Sequence, residues 1–211
     1  MKTEDLVDLL ARDVPPAERP RWRRRLLLAL LAGLAIGLIL TALSIGFRPD
    51  IGVALAPVLA KATFSAAAAA VALPLASRLM QPGRPLGWRV AAVLIFFAVC
   101  ALAAIIALIG MAPEKRLAMW LGGGFPWCLV LIPIFATPTA IGLVWLARGL
   151  APTRLTLSGA ALGALSGSIG AMAYSMWCPM DSVPFVATWY AAAIAFCAAV
   201  GAVLGSRILR W

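Results

Sequence analysis

Residues 23–47 read RRRLLLALLAGLAIGLILTALSIGF, three arginines followed by an apolar run that contains no charge. The run from Leu26 to Phe47 is longer than the roughly 7–15 residue core of a cleavable signal peptide, so it reads as a retained membrane helix. About 20 helical residues cross a hydrocarbon core about 30 Å thick, and this run suffices. Working outward, five further stretches meet the same requirement: residues 51–77, 90–111, 121–147, 155–176 and 185–206. Each is apolar all round, unlike a helix that lies on a surface. The expected fold is all-α, a polytopic bundle of six transmembrane helices joined by short loops.

Composition agrees. Of 211 residues, 64% are hydrophobic and 12% charged, with a mean hydropathy of +0.99, whereas a globular domain carries about 25% charged residues. Too little polar surface remains to coat a water-soluble core. The expected organisation is a cytoplasmic N-terminal arm, residues 1–21, and a transmembrane domain, residues 22–211.

In a soluble protein a net charge of +10 would point to nucleic acid; here its placement reads as topology, and no direct nucleic-acid contact is expected. With the N-terminus inside, the inner face collects Lys2, Arg12, Arg19, Arg21, Arg23, Arg24, Arg25, Arg78, Arg84, Arg89, Arg148, Arg154, Arg207 and Arg210. The outer loops then hold only Arg48, Lys115 and Arg116 as cations, together with Asp50, Glu114 and Asp181. The positive-inside rule therefore places both termini in the cytoplasm and the protein in the bacterial inner membrane. Gly159, Gly163 and Gly167, with Gly33/Gly37 and Gly201/Gly205, repeat the small-xxx-small pattern of closely packed membrane helices.

The arm alone has soluble-protein chemistry. Thr3 can cap a helix whose first turn holds Glu4 and Asp5, suiting the helix dipole. Leu6, Leu9 and Leu10 fall on one face, flanked by Asp5, Asp8 and Arg12, and Pro15, Pro16 and Pro20 end the helix. So short a helix is marginal in water unless its apolar face finds a partner. The bilayer surface, a groove on a cytoplasmic protein and the underside of the bundle are the three alternatives, and the acidic flank disfavours anionic lipid.

Four cysteines and no histidine occur, with no zinc spacing and no C-x-x-C pair. Cys100 and Cys197 fall near the middles of their spans, where a thiol is a small hydrophobe. Cys128, in GGGFPWCLV, and Cys178, in MWCPMDSVPF, both fall at the outer end. They are candidates for a disulfide, for thiolate ligation of a soft metal ion, or for oxidation that shifts helix packing. Pro126, Pro133 and Pro138 mark the fourth span as one that can bend. Lys61 is the one charge well inside a span, a functional candidate by default unless the span starts beyond Pro57 and the side chain snorkels outward.

The stretches MKTEDLVDLLARD (1–13), LARGLAPTRLTLSGAALGALSG (146–167), MAYSMWCPMDSVPFVATWY (172–190) and LGSRILRW (204–211) together resemble the NrsF-type anti-sigma factors, six-helix inner-membrane proteins. The Cys-Pro-x-Asp-Ser-x-x-Phe element from Cys178 and the Trp189–Tyr190 pair are its most specific parts. The resemblance implies that the arm holds an extracytoplasmic-function sigma factor inactive. It also implies that a stress signal, heavy metal or oxidant, is received at two outer cysteines, matched here by Cys128 and Cys178. No resident cofactor is implied, only a transient metal ion at those thiols.

Two rival classes follow from the same features. A small-solute or ion transporter would show polar groups along a path near the midplane and a repeat between halves, but only Lys61 stands out. A membrane thiol oxidoreductase would need an exchanging pair, commonly closely spaced, beside a quinone or partner disulfide. Without histidine or paired carboxylates in the spans, catalysis is not expected.

Overall fold

The computed structural model describes residues 22–123 and 125–210. The arm, with Asp5, Leu6, Asp8, Leu9 and Leu10, lies outside the described residues. The described chain is all helical in its regular structure, with α1 Trp22–Ser44, α2 Leu55–Leu79, α3 Arg89–Ile109, α4 Pro113–Leu121, α5 Trp127–Arg148, α6 Leu155–Tyr174 and α7 Val183–Ile208. All but α4 are long and apolar enough to cross a membrane, six in number among the described residues.

Two expected bounds move. The second helix starts at Leu55 instead of residue 51, because residues 49–53 form turns in which Val53 and Ala54 donate to the Asp50 carbonyl. The stretch expected to open the fourth span at residue 121 is instead the end of α4. Pro113 begins that short helix, Glu114 sits in its first turn and Gly122 ends it, the usual punctuation of a helix separate from its neighbours. The fourth span proper begins at Trp127, and both Pro133 and Pro138 are accommodated inside it.

The centre of the bundle is α6, whose residues from Ser158 to Ala171 are almost all buried. Its composition explains the position. A β-carbon added at Gly159 or Gly163 would run into the backbone carbonyls of Gly201 and Cys197 on α7, and one at Gly170 would meet the backbone of Ile132 and Ala136 on α5. Small residues let these backbones touch, which is how helices associate where lipid removes most of the hydrophobic drive. α1 packs on α5, with Gly33 against Thr139, α2 packs on α6, and α3 is peripheral. Ser158 Oγ donates to the Leu79 carbonyl at 3.1 Å and Arg148 Nε to the Ile208 carbonyl at 2.8 Å, tying together the end of the bundle at which α1 begins. The opposite end holds all the carboxylates among the described residues, Asp50, Glu114 and Asp181.

Candidate functional site

Cys128 lies in the first turn of α5 and Cys178 just past the end of α6, and both are 0% exposed. The fold brings them to one buried cluster with Tyr174, the last residue of α6, and Tyr190, on α7. Each tyrosine interacts with both thiols, and the two thiols interact with each other. The rings of Tyr174 and Tyr190 are 5.8 Å apart, and Phe64 of α2 meets Tyr190 edge-on at 6.4 Å. Among the described residues neither tyrosine hydroxyl meets a nitrogen or oxygen partner. Tyr190 closes a π-helical turn, Val186–Tyr190, a feature frequent at functional sites because its extra residue re-aims the side chains around it.

No disulfide joins any of the four cysteines. The thiols stand at the expected end of the bundle, where both are buried; an ion network holds the Cys178 turn and an aromatic group packs on the segment that follows it. Cys100 and Cys197 are buried elsewhere, Cys197 against Gly163 and Gly167 of α6.

The network is built on Asp181. Its Oδ1 accepts from Lys61 Nζ at 2.8 Å and from Arg48 Nη1 at 2.8 Å, while Arg48 also grips Asp50 through Nε at 2.6 Å and Nη2 at 2.9 Å. Lys61 Nζ donates to the Cys178 carbonyl at 2.5 Å as well. With 2% exposure, Lys61 is neither a bare charge in lipid nor a snorkelling one. It is paired and hydrogen-bonded, the condition under which a charge tolerates burial. Partial burial raises the Asp181 carboxyl, but the hydrogen bonds from Arg48 and Lys61 prevail and hold it below the ordinary carboxylate range. The Arg48 hydrogen bond holds Asp50 low, and those carboxylates in turn push the Arg48 guanidinium up.

The aromatic group gathers around Trp189. Trp120 stacks obliquely on Trp189 at 5.4 Å, and Phe125 on Trp189 at 4.5 Å. Trp189 Nε1 donates to the Trp120 carbonyl at 2.8 Å, and Ser182 Oγ to the Met119 carbonyl at 2.7 Å. Met180 seats its thioether against Gly122, where φ is +53° and an added β-carbon would collide with the sulfur, and accepts from the Gly123 amide at 3.2 Å. Glycine alone fits a left-handed backbone with that contact.

Chemically, two thiols at one spot suit a thiophilic ion or oxidation to a disulfide. A thiol buried in apolar surroundings is inert, so either reaction requires this end of the bundle to open. No group of three or more histidine, cysteine or acidic side chains arranged to hold a metal occurs among the described residues. Of the buried polar groups among the described residues, the charged ones, Arg48 and Lys61, stand at this one end, and the rest are serine and threonine hydroxyls spread along the spans. Sequence reading singled out Cys128, Cys178 and Lys61 but missed Tyr174, Asp181, Arg48 and Trp120. The clue to Asp181 was its place in the Cys-Pro-x-Asp element; for Arg48 and Trp120 no local signal existed.

A family model described as "Negative regulator of sigma F", NrsF, matches residues 10–211. A protein of Azospira oryzae called probable anti-sigma-F factor NrsF is 35% identical, and the anti-sigma-F factor NrsF of Caulobacter vibrioides 36% identical, each over 100% of both chains. No solved structure matches.

Proposed function

This chain belongs to the NrsF family of negative regulators of sigma F, and from that membership we propose that it is a membrane-bound anti-sigma factor which holds an extracytoplasmic-function sigma factor through its N-terminal arm. On this reading the protein lies in the bacterial inner membrane with both termini in the cytoplasm, as the arginine distribution favours. The arm's leucine face, Leu6, Leu9 and Leu10 with Asp5 and Asp8, is what the sigma factor covers. A heavy metal or oxidant reacts outside with Cys128 and Cys178, and the sigma factor is released.

The observation that carries this reading is the meeting of the two thiols under a latch made of Lys61, Asp181 and Arg48. Bonding between or across the sulfurs would pull α5 against the α6–α7 turn. α5 is packed on α1, and α1 continues from the arm, so a change of packing at the outer end has a physical route inward. Such coupling requires two packings, only one of which holds the sigma factor.

The test replaces both Cys128 and Cys178 by serine and follows sigma-dependent transcription with and without metal or oxidant stress. Repression should persist in both conditions. A normal stress response in that variant would remove the cysteines from the mechanism, while the family assignment would stand.

A further inference from the structure

Away from the thiol cluster, a groove of about 550 Å³ runs between α5 and α7, with the glycine face of α6 as its floor. Its walls are Ala140, Val144, Phe196, Val200 and Leu204, and it ends at Arg148. Phe196, Val200 and Leu204 are exposed, so the groove opens sideways, toward acyl chains if the helices lie in a bilayer. Its two ends differ in chemistry. The far end is apolar but for Thr137 and Ser166, whose hydroxyls donate to carbonyls of their own helices, whereas Arg148 has its Nε held by the Ile208 carbonyl, which fixes the guanidinium at the mouth. Arg154, Arg207 and Arg210 are exposed at this same end of the bundle, and no carboxylate among the described residues pairs with any of the four.

An apolar trough with an arginine at its mouth is complementary to one amphiphile, a long acyl chain carrying an anionic head. We propose that this groove binds a single anionic phospholipid, its acyl chain along α5 and α7 and its phosphate on Arg148. Basic pockets between membrane helices recognise anionic headgroups in this manner. The site rests on the six helices lying in a bilayer, but not on the sigma factor or the cysteines.

The experiment uses the full chain purified in detergent, with phosphatidylglycerol or phosphatidylcholine added and retained lipid counted by native mass spectrometry. Wild type should keep one phosphatidylglycerol in preference to phosphatidylcholine. Arg148→Gln should reduce that preference about fivefold, the equivalent of about 1 kcal/mol for an arginine near an anionic surface. Ala140→Phe, which fills the trough, should lose the bound lipid; Val144→Phe does the same from the neighbouring turn if the first variant misfolds. Equal retention of the two lipids, or unchanged retention in all three variants, would overturn the site. So would equal thermal stabilisation by inorganic phosphate, which would mean an anion site without a chain. Retention appearing only after removal of residues 1–21 would make the arm the occupant, and a dimer abolished by Ala140→Phe would make it a second copy. A chain found in membranes yet without lipid preference defeats this site and leaves the membrane reading intact.

Discussion

Lys61 and Asp181, 120 positions apart in sequence, meet at 2.8 Å between Nζ and Oδ1, and the same ammonium holds the carbonyl of Cys178. One buried cation thus fixes α2 to the turn that carries a candidate sensor thiol. With Arg48 bridging Asp181 to Asp50, the turn is held from two helices' ends at once.

Lys61→Met removes that donor and leaves a buried carbonyl and part of a carboxylate unsatisfied. The expected cost is about 1–3 kcal/mol, read as a lower melting temperature in detergent, with faster maleimide labelling of Cys128 and Cys178. Combined with Asp181→Asn the effects should fall short of additive, since both changes break one pair. Strict additivity, or unchanged labelling, would count against the latch.

Acid should test the same pair. Asp181 and Asp50 both have carboxyls held below their ordinary range, so their contribution is complete above the unfolded carboxylate value of about 3.9 and is lost only as pH falls through the lowered folded values. Arg48, shifted upward, contributes fully below its own unfolded value and loses that only at extreme alkalinity. Thiol labelling should therefore be governed by thiolate chemistry alone from pH 5 to pH 8, and the melting temperature flat, with loss of the latch below about pH 4. A stability transition near pH 6 would show that other groups hold the turn.

At the helix contacts, Gly163→Ala places a β-carbon against the Cys197 backbone carbonyl, which has no rotamer with which to yield. Overpacking of this kind costs about 1–3 kcal/mol. Gly110→Ala, with its nearest neighbour at an ordinary 3.5 Å, should stay within about 0.5 kcal/mol. Melting of the two variants side by side decides whether α6 and α7 touch as described.

For the arm, deletion of Met1–Val14, or exchange of Leu6, Leu9 and Leu10 for serine, should release the sigma factor and raise sigma-dependent transcription without stress. Membrane fractions should then lose the sigma factor. Continued repression by a stably inserted variant would refute the arm as the binding element.

The six spans were legible because uncharged runs of sufficient length leave few alternatives in water or lipid. The glycine repeat likewise announced α6 as a contact helix. Cys178 announced itself through the element around it, and Cys128 through its position near the start of a span. What local sequence does not give is depth of burial: Cys178 falls in a loop yet is buried, and α4, expected to be loop and the start of a span, packs on the segment that follows it. Lys61 read as a solitary charge because its partner belongs to a turn beyond the fifth span.

Sequence by itself, then, determined the helices and the end of the bundle to which each charge and thiol belongs, since both follow from counting residues along a helix of constant rise. Only tertiary structure decided that Lys61 faces Asp181, that Tyr174 and Tyr190 flank two sulfurs, and that Trp120 lies on Trp189. These are matters of helix rotation and register, set by glycine contacts on α6 whose partners lie on other helices, and no local stretch of chain encodes them.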